Sequence, residues 1–347
     1  MKAALQARLR RQKSLPSPPG VAAQIIELAN NPDTAMASLA NVISLDPALT
    51  AKIMRIANSP LYARRRQSNN LRQALVLLGL NATITLALSF SLAESLRQGR
   101  TKGLDLDYFW RRSVLAALGA RSLGRALGRL DSEELFLAGL LQDIGMLALD
   151  RAMPGLYDPE SGIQYEHGRV CESEREALGN DHVEAGAWLL QEWSLPERFC
   201  SAVAASHGQN MSHQDGNRSE FVRCVAASGA LADLWLRADL ADECFAFAAA
   251  QANELLGMDG EAVGAALQQM RDTIGEAESL FEINLVAAQE ADLLIEQAQE
   301  LMLVRNLRLF EETRSLRQTV DLFQSRAEEG GGTPCQDSSS PKIRCKR

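Results

Sequence analysis

Apolar residues recur along this chain at three- and four-residue spacing, and strand-like alternation is almost absent. After a proline-rich entry at Leu15 to Pro19, Val21, Ile25, Ile26 and Leu28 share one helical face. Asp33 is placed to cap a second helix carrying Leu39, Val42 and Ile43. Asp46–Pro47 then supplies an N-cap followed by proline at the first helical position, and Leu49, Ile53 and Ile56 face inward behind it. Further helices are predicted over Tyr108 to Leu127, around Glu134, Phe136, Ala138 and Leu141, over Asp181 to Trp193, and after Pro196. Two more cover Phe221 to Arg237 and Asp242 to Gly257. The stretches from Pro154 to Asn180 and from Gly208 to Ser219 are richer in Gly, Pro and polar residues and are predicted as surface loop. The pattern predicts an all-α protein.

Two segments modify that picture. Gln73 to Ala93 carries no charge, but Asn81, Thr83, Thr85, Ser89 and Ser91 interrupt it and Gly79 breaks it. Two buried helices joined at Gly79–Asn81, with Asn81 as N-cap, fit it better than a membrane span. From Leu285 to Phe323, every seventh residue is apolar: Ala288, Ile295, Met302, Leu309, Leu316 and Phe323. The partner positions Asp292, Gln299, Asn306 and Thr313 are polar, so half a coiled-coil seam is written there. It reads either as a dimerising helix or as a long helix packed on its own domain. The Gly-, Ser- and charge-rich residues 328–347 are expected to be disordered.

Composition narrows the function classes. The 347 residues are 46% apolar and 23% charged, ordinary for a globular protein, and the net charge of −8 disfavours broad attraction to nucleic acid or anionic lipid. Basic clusters at Arg8, Arg10, Arg11 and Lys13, and at Arg64 to Arg66, read first as solvated faces. The six cysteines form no C-x-x-C pair and no zinc-ligand spacing, and the N-terminus lacks a signal-peptide core. A cytoplasmic protein with reduced thiols is the expectation.

Two sets of motifs carry a family resemblance. The first is LPSPPGVAAQIIELANNPD, LANVISLDPALTAKIMRIANSPLY and LRQALVLLGL, with Asp46–Pro47 and the run Arg55, Asn58, Ser59. The second is FLAGLLQDIGMLAL, DHVEAGAWLLQEWSLPERF and then His207. Together they resemble the HDOD domain. The resemblance implies an HD-like helical domain over 15–275, with an N-terminal half at 15–100 and an HD-like half at 101–275. A basic extension (1–14) would precede it, and a helical linker (276–327) and the tail (328–347) would follow.

HDOD domains resemble metal-dependent HD phosphohydrolases in fold but are generally regulatory. In HD enzymes, histidines and aspartates on neighbouring helices hold metals that activate water. Here the adjacent His-Asp pair is Gln142–Asp143, the earlier ligand histidine falls near Arg112–Ser113, and the late aspartate falls near Ala227. Asp143, His182 and His207 stand at matching positions. The expectation is a vestigial site with no metal, no cofactor and no catalysis. Each survivor also has an ordinary reading: Asp143 as a cap on Ile144–Gly145, His182 as a buried hydrogen-bonded residue, and His207 as a cation at a helix C-terminus. Trp193, Leu195 and Pro196 read as core and loop-shaping residues.

The function implied is a non-catalytic bacterial signalling scaffold working through protein contacts in motility, stress or cyclic-dinucleotide-linked regulation. A diguanylate cyclase (GGDEF) or two-component protein is the candidate partner, with homodimerisation through 285–323. An interaction surface is expected at Arg55, Asn58, Ser59 and Tyr62. Two alternatives are a phosphohydrolase with a remodelled site at Asp143, His182 and His207, and a helix-turn-helix DNA binder over Ser38 to Ser59 reading through Thr50, Lys52 and Arg55. Membrane and nucleic-acid partners are not expected.

Overall fold

A computed structural model of the chain describes residues 1–302, apart from 13–14, 63–66, 98, 100, 208–215, 238–239 and 288–289. The chain divides into two compact units, Met1–Gln299 and Glu300–Arg347, and only 300–302 of the second are described. The first unit holds both motif blocks, and its described residues form helices and no strand.

The N-terminal half is a cluster of short helices: α2 (Gly20–Asn30), α3 (Met36–Ser44), α4 (Pro47–Ala57), α5 (Leu71–Leu78) and α6 (Leu80–Arg97). Asp46 caps α4 through a 3.0 Å bond from the Leu49 N–H, as the Asp-Pro pair predicts. Asp33 does not cap α3, whose N-cap is Ala35; the Asp33 N–H instead donates to Asn31 in the preceding turn. The chain bends by 111° between α5 and α6 at Gly79, whose φ of +81° explains the glycine. Asn81 is therefore the second residue of α6 and not its cap. The uncharged helix tolerates burial because Thr83, Thr85 and Ser89 donate to the carbonyls of Gly79, Asn81 and Thr85, one turn back. No single described helix is long and apolar enough to cross a membrane.

The second half is built on α7 (Leu106–Ala126), which packs against α8 (Ser132–Leu141), α13 (Gly216–Leu236) and α15 (Gly260–Phe281). Around it lie α9 (Ile144–Ala152), α10 (His167–Leu178), α11 (His182–Glu192), α12 (Glu197–Ala204) and α14 (Ala241–Leu256). The halves share one core: Phe281 packs on Phe90 and on Phe136, with ring centroids 5.2 and 5.9 Å apart. Trp193 and Leu195 are core residues, and the Trp193 indole donates to the Pro16 carbonyl at 3.2 Å.

Several predicted boundaries move. The first residues are not a free basic extension: α1 (Ala3–Arg11) packs on α9, with Leu5 and Leu9 buried. Arg8 donates to the Ala152 carbonyl and Arg10 pairs with Glu192. The Arg64 to Arg66 cluster lies outside the described residues. The predicted linker start at 276 falls inside α15. Leu285 lies in an irregular segment rather than a long helix, because its carbonyl accepts from Arg111 and its N–H donates to Glu278. Helix resumes at 290, and Ala291, Leu294, Ile295 and Ala298 are buried. The remaining seam, 303–323, and the tail lie outside the described residues.

Candidate functional site

Three helix starts and one helix end meet beside α7. Asp143 is the N-cap position of α9, His167 and His182 are the first residues of α10 and α11, and His207 follows α12. Gly145 makes this convergence possible. A Cβ there would collide with the His182 carbonyl, so the start of α9 lies directly on the backbone of α11.

Arg112, on α7, is 3% exposed. Its Nη1 donates to Asp143 Oδ2, and its Nε donates to Asp233 Oδ1 at 2.7 Å. Burial works against the guanidinium charge, but Asp143 and Asp233 outweigh it and hold Arg112 above its ordinary range. Burial likewise opposes the Asp143 carboxylate, and the adjacent Arg112 brings it well below the usual carboxylate range. Asp143 does not cap the turn with its side chain.

The other oxygen, Asp143 Oδ1, faces the Nε2 atoms of His167, His182 and His207 at 3.3, 3.5 and 3.5 Å. The rings also face one another, with Nε2 separations of 3.0 Å between His167 and His207 and 2.8 Å between His182 and His207. Burial, reinforced by Arg112, brings His167 down to about 4, and burial lowers His207 too. The expectation that His207 meets the end of a helix dipole is thus corrected: its ring turns inward to Asp143, His167 and His182, where burial disfavours its charged form. His182 is fully buried and hydrogen-bonded, as expected. Its Nδ1 lies 2.8 Å from Glu174 Oε2, and Glu174 also accepts from the His182 N–H and the Tyr157 hydroxyl. Burial lowers the tendency of His182 to protonate, but the Glu174 charge overrides it and raises His182 well above its ordinary value.

His167 and Glu174 escape a reading of the sequence because Pro154 to Asn180 has the composition of a surface loop. The segment contains two short 3₁₀ turns and then α10, whose His167, Val170, Cys171 and Glu174 are buried. Their spacing is a helical face and was the available signal; Gly162 and Gly168 obscured it. A further carboxylate on α13 also escapes that reading. Ala227, near which the resemblance puts the late aspartate, is buried and apolar, and six residues on α13 offers Asp233 to Arg112.

Gln142, in the position of the HD histidine, is fully buried, and neither polar atom of its amide has a hydrogen-bond partner among the described residues. Asp143 Oδ1 is likewise buried without one, since none of the facing imidazoles has hydrogen-bond geometry to it. Asp143, His167, His182 and His207 are a group able to ligate a metal, with ligand atoms all within 4.8 Å of one another. The cavity beside Arg112, Asp143 and His167 has a volume of about 10 Å³, room for one water.

Of the four residues expected to form an interaction surface, the exposed Arg55 and half-buried Asn58 bond within the domain, and the hydroxyls of Ser59 and Tyr62 are buried without a hydrogen-bond partner among the described residues. Arg55 donates to the Ser279 carbonyl and hydroxyl, and the Asn58 amide exchanges two hydrogen bonds with the Ser68 backbone. Ser59 is buried, and burial with the nearby Glu133 charge pushes the Tyr62 hydroxyl up.

Comparison with known proteins places this arrangement. The model of the HDOD domain matches residues 15–209. An HDOD domain protein of unknown function from Geobacter sulfurreducens is 22% identical, with a TM-score of 0.60 over 80% of this chain and 98% of its own. A Shewanella amazonensis SB2B protein with a provisional phosphohydrolase assignment is 25% identical, with a TM-score of 0.62 over 82% of this chain and 98% of its own. An uncharacterised protein of Treponema pallidum is 24% identical over 216 residues, 61% of this chain; the chain spans 41% of that relative. The family match covers more than half of the sequence and includes both motif blocks, and on it the chain belongs to the HDOD family.

Proposed function

We propose that this chain is a non-catalytic regulatory module that works through protein contacts. One observation carries the reading: Asp143, the retained half of the HD pair, is held under Arg112 in a site with about 10 Å³ of free space. Small-molecule sites are clefts of roughly 300–1,000 Å³. A phosphate ester has no room beside Asp143, and a permanent cation already neutralises the carboxylate. The Shewanella relative's provisional assignment favours phosphohydrolysis, but Gln142 and Arg112 stand against it here.

The helix-turn-helix alternative loses its readers. Thr50 donates to the Ile43 carbonyl, Lys52 pairs with Glu94 at 3.1 Å, and Arg55 is bonded to Ser279. Among partners, a diguanylate cyclase or two-component protein remains the candidate by family association, with a second copy through 285–323 as the other.

The test is hydrolysis of phosphomonoester and phosphodiester substrates by purified full-length protein with added Mn²⁺, Mg²⁺ or Zn²⁺. We expect no turnover above the metal-only control. Turnover abolished by Asp143→Ala would overturn the reading.

A further inference from the structure

We propose that Asp143, His167, His182 and His207 form a closed tetrahedral site for one zinc-class divalent cation, which pins α10 to the HD-like core. A tetrahedral ion with metal–ligand bonds of about 2.0–2.1 Å separates its ligand atoms by about 3.3–3.4 Å. Five of the six separations here, from Asp143 Oδ1 to the three Nε2 atoms and from His207 Nε2 to the other two, run from 2.8 to 3.5 Å, and all four atoms lie within 4.8 Å of one another. Three imidazole nitrogens pointed at one another and at a carboxylate oxygen are poorly matched as hydrogen-bond partners. The same four atoms are well matched as the corners of a coordination sphere.

Three further observations point to an ion. Asp143 Oδ1 is a buried oxygen without a hydrogen-bond partner among the described residues. Glu174 Oε2 lies 2.8 Å from His182 Nδ1, where it can hold that nitrogen's proton while Nε2 faces the ion position, the usual support for a metal-bound histidine. Asp143 also lies between the one guanidinium, Arg112, on Oδ2 and the three imidazoles on Oδ1, so its second oxygen is directed at the ion position.

The donor set selects the ion. Three imidazoles and one carboxylate suit zinc and its neighbours, not magnesium or calcium. Four protein ligands, three buried and His207 half-buried, fill a tetrahedral sphere and leave no open position, which is the mark of a structural and not a catalytic centre. Only one ion fits, since Gln142 and Ala227 occupy the positions that would extend an HD-type set. Three of these ligands stand at positions that match the HD set; His167 lies outside the motifs that carry the resemblance, and with it the site closes around a structural ion.

The experiment is elemental analysis of the full-length protein purified without chelator, followed by chelator stripping and titration with Zn²⁺ and with Co²⁺. We expect one zinc per chain, a melting temperature lowered by stripping and restored by Zn²⁺, and the visible absorption of tetrahedral cobalt(II). His167→Ala should weaken Zn²⁺ affinity at least tenfold. Stripped wild-type protein that takes up neither ion, with an unchanged melting temperature, would overturn the proposal without any variant having to fold. Unchanged Zn²⁺ affinity in His167→Ala would overturn the assignment of that ligand and with it the pinning of α10. Hydrolytic turnover is a separate readout, so this site can fail while the non-catalytic reading stands, or the reverse.

Discussion

Arg112 and Asp143 form a buried ion pair that divides one carboxylate between two tasks. Oδ2 receives the guanidinium, while Oδ1 is turned toward His167, His182 and His207. The resemblance to HD enzymes places a metal-binding histidine near position 112. This chain puts there a side chain that is charged at every accessible pH and cannot ligate a metal. The arginine gives Asp143 a task that a ligand histidine would not, the anchoring of a fixed cation on Oδ2.

That pairing makes Arg112 a stability determinant. Arg112→Met should lose about 3–5 kcal/mol, because Asp143 would be left as a buried carboxylate without its counter-charge. Adding Asp143→Asn to Arg112→Met should recover part of the loss, since the remaining group is then neutral. Urea denaturation of the single and double variants checks both. A loss below about 1 kcal/mol for Arg112→Met would mean the pair does not hold the core together.

Two helical glycines should respond with opposite signs. Gly145→Ala drives a methyl into the His182 carbonyl at the α9–α11 contact, so α9 must move away. The expected loss is about 1–3 kcal/mol, as for overpacked cores. Gly275, inside α15, has open space where a Cβ would go, so Gly275→Ala should gain about 0.5–1 kcal/mol from helix propensity alone. Thermal melts of the two variants side by side would show it. Equal effects would remove the close approach as the reason for Gly145.

The fold was legible wherever periodicity and caps agreed. Asp46–Pro47, Asp181 and the apolar faces of α2 and α4 predicted helices that occur, because local propensity and burial point the same way there. Asp33 misled because a good capping residue sits three positions before the true start of α3, and its neighbour Asn31 makes the turn instead. The site was half legible. Asp143, His182 and His207 stand in recognisable motifs, but His167, Glu174 and Asp233 act through distances between separate helices, which no local pattern records. His207 shows the same limit: its position after a helix implies a dipole contact, and only tertiary packing turns it inward.

Asn58 separates a structural role from a partner-facing one. Its amide accepts from the Ser68 N–H at 2.6 Å and donates to the Ser68 carbonyl at 3.0 Å, joining the end of α4 to the approach to α5. Asn58→Ala should cost about 1–3 kcal/mol, because a part-buried backbone donor and acceptor lose their partners. Hydrogen exchange should show the Ser68 amide opening faster while amides of α7 are unchanged. Unaltered exchange and stability would return Asn58 to the candidate interaction surface.

Gln142 tests whether the HD pair alone decides catalysis. Gln142→His restores the adjacent His-Asp sequence at a position where the present amide is buried with both polar atoms unpartnered, so the variant should fold with a change of about 1 kcal/mol or less. Hydrolysis should still be absent. Asp143 Oδ2 remains bound to Arg112, and the neighbouring cavity, about 10 Å³, cannot admit a phosphate ester. The assay is phosphodiester turnover with added Mn²⁺, compared with wild type and with Gln142→His combined with Arg112→His. Turnover in the single variant would show that the missing histidine, and not Arg112 or the closed cavity, is what silences this site. Turnover confined to the double variant would identify the Arg112–Asp143 pair as the block.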